Sequence, residues 1–192
     1  MLYRIESGKI QTQAVEFAAA DHCNLRCAGC SHMSPFLRAR LPLEDELARD
    51  MGRLATAMSA EEVRIVGGEP LLNPRIVAIL QAARASGIAR RVVLATNGLL
   101  LHTMSNEFWA NVDEVRLNLY PAARPTERLV DQARKHAIKS GTHLVVSEYS
   151  SFRVTGAKDL RKQLWEFLAN NRPLDACQRC LGYVGYKQAT IN

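Results

Sequence analysis

The chain has 192 residues, a formal net charge of +6 and a pI near 9.3, with 47% hydrophobic and 23% charged residues. That length suits one domain with a buried core, and no stretch reaches the ~20 apolar residues of a membrane span. Aromatics make up only 6% of the chain and no long block of like charges occurs, which argues against a nucleic-acid platform of aromatics set in a basic stripe.

The N-terminus, MLYRIESGKI, lacks a charged-then-apolar secretory pattern, so cysteines kept reduced in a cytoplasm are expected. Gln13 to Ala20 is a short apolar run, predicted as a buried first strand. The segment Asp21 to Ser34, DHCNLRCAGCSHMS, follows at once. Leu43 to Met58 places Leu43, Leu47, Met51, Leu54 and Met58 on one helical face, and Glu44, Asp45 and Glu46 suit its N-terminal dipole. Glu62 to Val66 predicts a second strand, ending in Gly67-Gly68-Glu69-Pro70. Asn73 is the expected cap of the next helix, with Pro74 first inside it and Gly87 beyond its end.

Arg91 to Ala95 reads as a third strand, ending in Thr96-Asn97-Gly98. A short helix is expected around Ser105 to Ala110, and a fourth strand from Glu114 to Leu119, ending at Tyr120-Pro121. Pro125 opens a helix through His136 that Gly141 closes, and His143 to Ser147 is a fifth strand. Lys158 to Asn170 reads as a helix that Pro173 stops, and Tyr183 to Ile191 as a sixth strand.

Strands alternating with helices imply parallel strands joined by right-handed crossovers, in a doubly wound sheet or a full or partial β/α barrel. In either, ligands gather at the C-terminal strand ends. The cysteine segment, GGEP, TNG, Asn118-Tyr120 and Glu148-Tyr149 all fall there, so five separated segments are expected around one site.

Cys23, Cys27 and Cys30 are three of only five cysteines and are spaced C-x3-C-x2-C. Three thiolates on one loop suit a soft metal centre. A [4Fe–4S] cubane has four irons and is usually held by four thiolates, so a trio leaves one iron for another ligand. A zinc knot completed by His22 or His32 is the alternative, but it leaves GGEP and TNG on the same rim unexplained. Gly67 and Gly68 permit a close backbone approach, while Glu69, Thr96, Asn97 and Asn118 offer hydrogen-bonding groups.

The ordered set C-N-L-R-C-A-G-C, G-G-E-P-L-L and T-N-G at successive strand ends resembles the radical S-adenosylmethionine (SAM) enzymes, from about Ala14 to Tyr149. That resemblance implies a single compact domain, residues 1–176, built as a partial (β/α)6-type TIM barrel, with residues 177–192 completing it. It implies a [4Fe–4S] cluster on Cys23, Cys27 and Cys30, SAM contacts from Gly67, Gly68, Glu69, Pro70, Thr96, Asn97 and Asn118, and an electron donor such as flavodoxin or ferredoxin. Reductive cleavage of SAM to a 5′-deoxyadenosyl radical would then abstract hydrogen from a substrate, expected to be a small polar metabolite. A glycyl-radical activase working on a partner protein, and a cluster- or zinc-binding module without turnover, are the rival expectations. Gly29 stands where many members carry an aromatic residue, and Ser31-His32 after Cys30 marks a subgroup. Cys177 and Cys180 form a C-x2-C pair open to several readings: part of an auxiliary cluster, a metal shared across a dimer, a redox pair or free thiols.

Overall fold

The computed structural model describes residues 3–27, 30, 32–120 and 123–149. The segments around Lys158–Asn170, Cys177, Cys180 and Tyr183–Ile191 lie outside the described residues.

The chain opens with a hairpin of β1 (Tyr3–Glu6) and β2 (Lys9–Ala20), paired antiparallel with Ile5 opposite Ile10. Gly8, at φ 75°, makes the turn. The sequence pattern picked out only the apolar second half of β2. Its exposed first half and β1 carry charged and polar residues whose pairing an apolar-run criterion does not detect.

From β2 onward the chain repeats a strand–helix unit. Helix α1 (Glu44–Ala57) leads to β3 (Met58–Gly67), α2 (Ile76–Ala85) to β4 (Ala89–Thr96), α3 (Asn106–Ala110) to β5 (Glu114–Leu119), and α4 (Glu127–Ser140) to β6 (His143–Glu148). Strands β2 to β6 are all parallel, and the sheet runs β1-β2-β3-β4-β5-β6. Each new strand adds on the same side of the last. Right-handed crossovers in that unbroken order set every helix on one face, whereas a doubly wound sheet reverses its order at a switch point. The architecture is therefore a partial barrel.

Several boundaries shift from expectation for local reasons. Asn73 is not the cap of α2: it closes a 3-10 turn over Pro70–Leu72, and the helix proper starts at Ile76. Leu43 is the residue before α1, half-exposed, and Met58 already belongs to β3, so the buried face of α1 narrows to Leu47 and Met51. Ser105 and Thr126 cap α3 and α4 through their hydroxyls, and Gly141 at φ 75° ends α4 in the left-handed conformation that glycine adopts at least cost.

The two faces of the sheet differ in chemistry. Phe17, Ala19, Val63, Ile65, Val92, Leu94 and Val115 face the helices and pack with Met51, Ile79, Leu80, Phe108 and Ala133 in one core. Trp109, buried and stacked on His136, packs in this layer. The residues in register on the opposite, concave face are Glu16, Glu62, Arg64, Arg91, Glu114 and Arg116. They are joined by ion pairs. Arg116 donates to Glu114 at 2.6 Å and to Glu62 at 2.9 Å; Arg91 bridges the same two carboxylates at 3.1 and 2.9 Å; Arg64 pairs with Glu62 and Glu16. Burial works against ionisation of Glu114, yet Arg116, His143 and Arg91 together hold its pKa below the usual carboxylate range. No helix among the described residues is long and apolar enough to cross a membrane.

Candidate active site

Cys23, Cys27, Cys30, Gly67, Gly68, Thr96 and Asn97 line one pocket, together with His32, Tyr120 and Tyr149. The pocket lies at the C-terminal ends of the parallel strands, where the alternation of elements placed it. It is an open pocket with about 740 Å³ of empty space, open solvent at its mouth included. His32 faces this pocket rather than the loop interior alone. Val66 and Ala95 also line it, two residues along their strands from Arg64 and Val93.

The cysteine segment is tied down at both ends. Asp21 N–H donates to the Arg40 carbonyl at 3.1 Å. The Asn73 amide, fully buried, donates at 2.9 Å to the carbonyls of Ala19 and Pro42, on the two sides of that excursion.

The glycine pair has a sharper reason than the sequence implied. Gly68 N–H donates to the Ala20 carbonyl at 2.7 Å and Glu69 N–H to the His22 carbonyl at 3.0 Å. The backbone of GGEP thus lies directly on that of the cysteine segment. A Cβ at Gly68 would collide with the His22 carbonyl and stand 2.8 Å from Cys23 N; one at Gly67, where φ is 144°, would stand 2.9 Å from Ala20 N. The close approach is to the cysteine segment's own backbone, and both glycines still line the pocket.

Glu69 is wholly buried and is not among the lining residues. One oxygen accepts from Leu71 N–H at 3.1 Å and Thr96 O–H at 2.7 Å, the other from Asn97 N–H at 2.9 Å. Burial pushes its pKa up, against the pull of these three donors. The carboxylate therefore binds GGEP to TNG. Pro70 likewise starts a buried 3-10 turn and does not line the pocket. Asn118 sits one strand over, half-buried, in register with Ser147, and is not among the lining residues.

The sulfurs share one electrostatic environment. Burial pushes the Cys23 thiol up to about 11; the Leu25 N–H, 3.3 Å away, opposes this, while Glu69, Cys30 and Cys27 add to the rise. Burial and the neighbouring Cys30 raise Cys27 as well. Such thiols ionise only against a positive partner, as metal ions provide. Among the described residues, no three Cys, His, Asp or Glu side chains surround a common point as ligands of a single ion. A cubane makes a different demand, since each thiolate meets its own iron at a separate corner. Three mutually interacting thiols spread around one pocket fit that group.

Two lining residues escaped the motif reading of the site. Tyr120 and Tyr149, from the ends of β5 and β6, stack with ring centroids 5.5 Å apart and planes 24° from parallel. Strand-end position had placed them on the rim, but nothing in a lone tyrosine signals a stacked pair.

Comparison with known proteins agrees with this geometry. The profile of the Radical SAM superfamily matches residues 19–120. The GTP 3′,8-cyclase of Streptomyces coelicolor is 33% identical over 116 residues, covering 58% of this chain and 34% of that protein. The GTP 3′,8-cyclase of Geobacter sulfurreducens is 32% identical over 120 residues, covering 60% and 36%. The chain thus spans about a third of the length of these curated relatives. Among solved structures, BtrN in complex with AdoMet and 2-DOIA aligns with a TM-score of 0.52 at 18% identity, covering 74% of this chain and 59% of that one. The enzyme anSMEcpe with bound AdoMet and the Cp18Cys peptide aligns at 0.51 and 17%, covering 71% and 42%. These two likenesses concern the fold.

Proposed function

Because the chain belongs to the radical SAM superfamily, we propose that it holds a [4Fe–4S] cluster on Cys23, Cys27 and Cys30 and SAM in the pocket beside them. Bound there, the pair would supply a 5′-deoxyadenosyl radical able to take a hydrogen atom from a substrate. The protein's own part is binding, orientation and exclusion of water. Gly67, Gly68, Thr96 and Asn97 form the wall against which SAM lies, with Asn118 one strand further along the rim. Glu69 and Pro70 act from behind that wall. Glu69 fixes Thr96 and Asn97 relative to GGEP, so it sets the pocket's width rather than touching its contents.

The observation that carries this reading is the convergence of three sequence-distant motifs on one pocket through direct hydrogen bonds. The substrate is proposed by class, a small polar metabolite, and the electron would come from a low-potential donor such as a flavodoxin or ferredoxin. The curated relatives are named for a reaction on GTP. The concave-face arginines below the pocket are each matched by glutamates, so that wall brings no surplus positive charge toward a triphosphate. The test is anaerobic reconstitution, dithionite reduction and incubation with SAM. Formation of 5′-deoxyadenosine and methionine from a protein with about four irons and four sulfides is expected. A fully loaded protein that forms neither above background refutes the proposal.

A further inference from the structure

We infer that Asn97 is a positioning residue for the Cys23 corner of the cluster, and that its side-chain amide raises the cluster's reduction potential. The inference rests on the cluster assignment proposed above and adds to it a partner that lies 74 positions away in sequence.

The Asn97 side chain is held at both ends. Its Oδ1 accepts from Leu99 N–H at 3.0 Å, which turns Nδ2 the other way, and its own N–H is fixed on the buried Glu69 carboxylate at 2.9 Å. Nδ2 then donates to Asn24 Oδ1 at 2.7 Å and to Cys23 Sγ at 3.7 Å. The second distance is a hydrogen bond to sulfur, whose radius and diffuse lone pairs lengthen the contact. Leu25 N–H supplies a second donor to the same sulfur at 3.3 Å. The backbone donor comes with the loop's conformation. The Asn97 donor comes from the end of β4 and is buried, 3% exposed.

Hydrogen bonds to a cluster's sulfurs are among the protein's means of setting its potential. Reduction adds one electron, and part of that charge resides on the ligating sulfurs. A donor on sulfur therefore stabilises the reduced state more than the oxidised one and raises the potential. Asn24 Oδ1 acts in the opposite sense. It stands 3.6 Å from Cys23 Sγ, where its partial negative charge opposes charge on a thiolate, and it takes one of the two Nδ2 hydrogens.

The two asparagines therefore predict shifts of opposite sign, which a merely structural role does not. Asn97→Leu is close in size, removes the donor to sulfur and adds no charge. Asn24→Ala removes the competing acceptor and leaves Asn97 in place. Each variant and the wild type are reconstituted anaerobically without SAM, checked for iron and sulfide content, and titrated with dithionite while the reduced cluster is followed by electron paramagnetic resonance. At the wild-type midpoint, Asn97→Leu is expected to lower the reduced-to-oxidised ratio at least tenfold, about 59 mV for one electron, and Asn24→Ala to raise it. Midpoints that coincide with the wild type, or move in the same direction, overturn the inference while leaving the cluster assignment intact. A wild-type protein that takes up no cluster refutes both. If Asn97→Leu does not load, Asn24→Ala decides alone: a raised midpoint supports the inference and an unchanged or lowered one overturns it.

Discussion

Replacing Arg116 by methionine tests whether the concave ion pairs hold the barrel together. Arg116 donates to Glu114 at 2.6 Å and to Glu62 at 2.9 Å, and both carboxylates are at least nine-tenths buried. Breaking a buried pair from one side costs about 3–5 kcal/mol, because the remaining charge stays desolvated. Two features reduce that figure here. Arg116 itself is 27% exposed, and Arg91 continues to bridge the same two glutamates. We expect Arg116→Met to cost about 2–3 kcal/mol at neutral pH, which for a domain of this size lowers Tm by about 4–12 °C. The pH dependence supplies the sign. Glu114 is held below its ordinary pKa in the folded state, so its contribution is present above the unfolded value and is lost as pH falls through the folded one. The gap between wild type and Arg116→Met should therefore be widest near neutrality and narrow below about pH 4. Adding Glu114→Gln should restore part of the loss by removing the stranded carboxylate. Urea denaturation across pH measures all three proteins. An Arg116→Met protein within about 0.5 kcal/mol of wild type, or a gap that stays constant into acid, would show that these pairs do not bear on stability.

Two further substitutions address the site. Gly68→Ala places a methyl group against the backbone of His22 and Cys23 and should displace the cysteine segment. Iron bound after reconstitution is expected to fall at least several-fold while far-UV circular dichroism stays near wild type; full loading would contradict the close-approach argument. Glu69→Gln keeps an acceptor for Leu71 and Thr96 but sets an amide N–H₂ against Asn97 N–H. The buried unpaired donor should cost about 1–3 kcal/mol, read as a lower urea midpoint. Because burial raises the Glu69 pKa in the folded state, its protonated form contributes stability at low pH that is lost as pH rises through the folded value. The advantage of wild type over Glu69→Gln should thus shrink with rising pH, the reverse of the Arg116 case; a gap widening toward neutrality would count against it.

The parallel strands and their order of chemistry were readable because each ends in a motif: cysteines after β2, GGEP after β3, TNG after β4. Periodicity located the apolar halves of these strands from Val63, Ile65, Val92, Leu94 and Val115. What periodicity missed follows from the other face. Glu62, Arg64, Glu114 and Arg116 alternate with apolar residues and look like a solvated side, yet they are satisfied by one another across strands, a relation set by register. The motifs pointed to residue types, not directions. Glu69 was expected against a ligand, and its carboxylate also binds the loops together through three convergent N–H and O–H donors inside the fold. Asn97 was expected to face SAM, and its amide also reaches a cysteine whose distance in sequence no local pattern could bridge.

The buried amide of Asn73 has a consequence for how this architecture tolerates change. By holding Ala19 and Pro42 together, it acts as a non-covalent ring closure for the roughly 20 residues between them, an ordering worth about 2–3 kcal/mol of chain entropy on the usual logarithmic law. That law is shallow, so lengthening the ring adds little to the cost of closing it. Beyond Cys30, where neither a proposed cluster ligand nor a contact with GGEP constrains the chain, the stretch leading back to Pro42 can thus vary in length while the strands beneath keep their register, and a barrel of fixed geometry can serve chemically different rims.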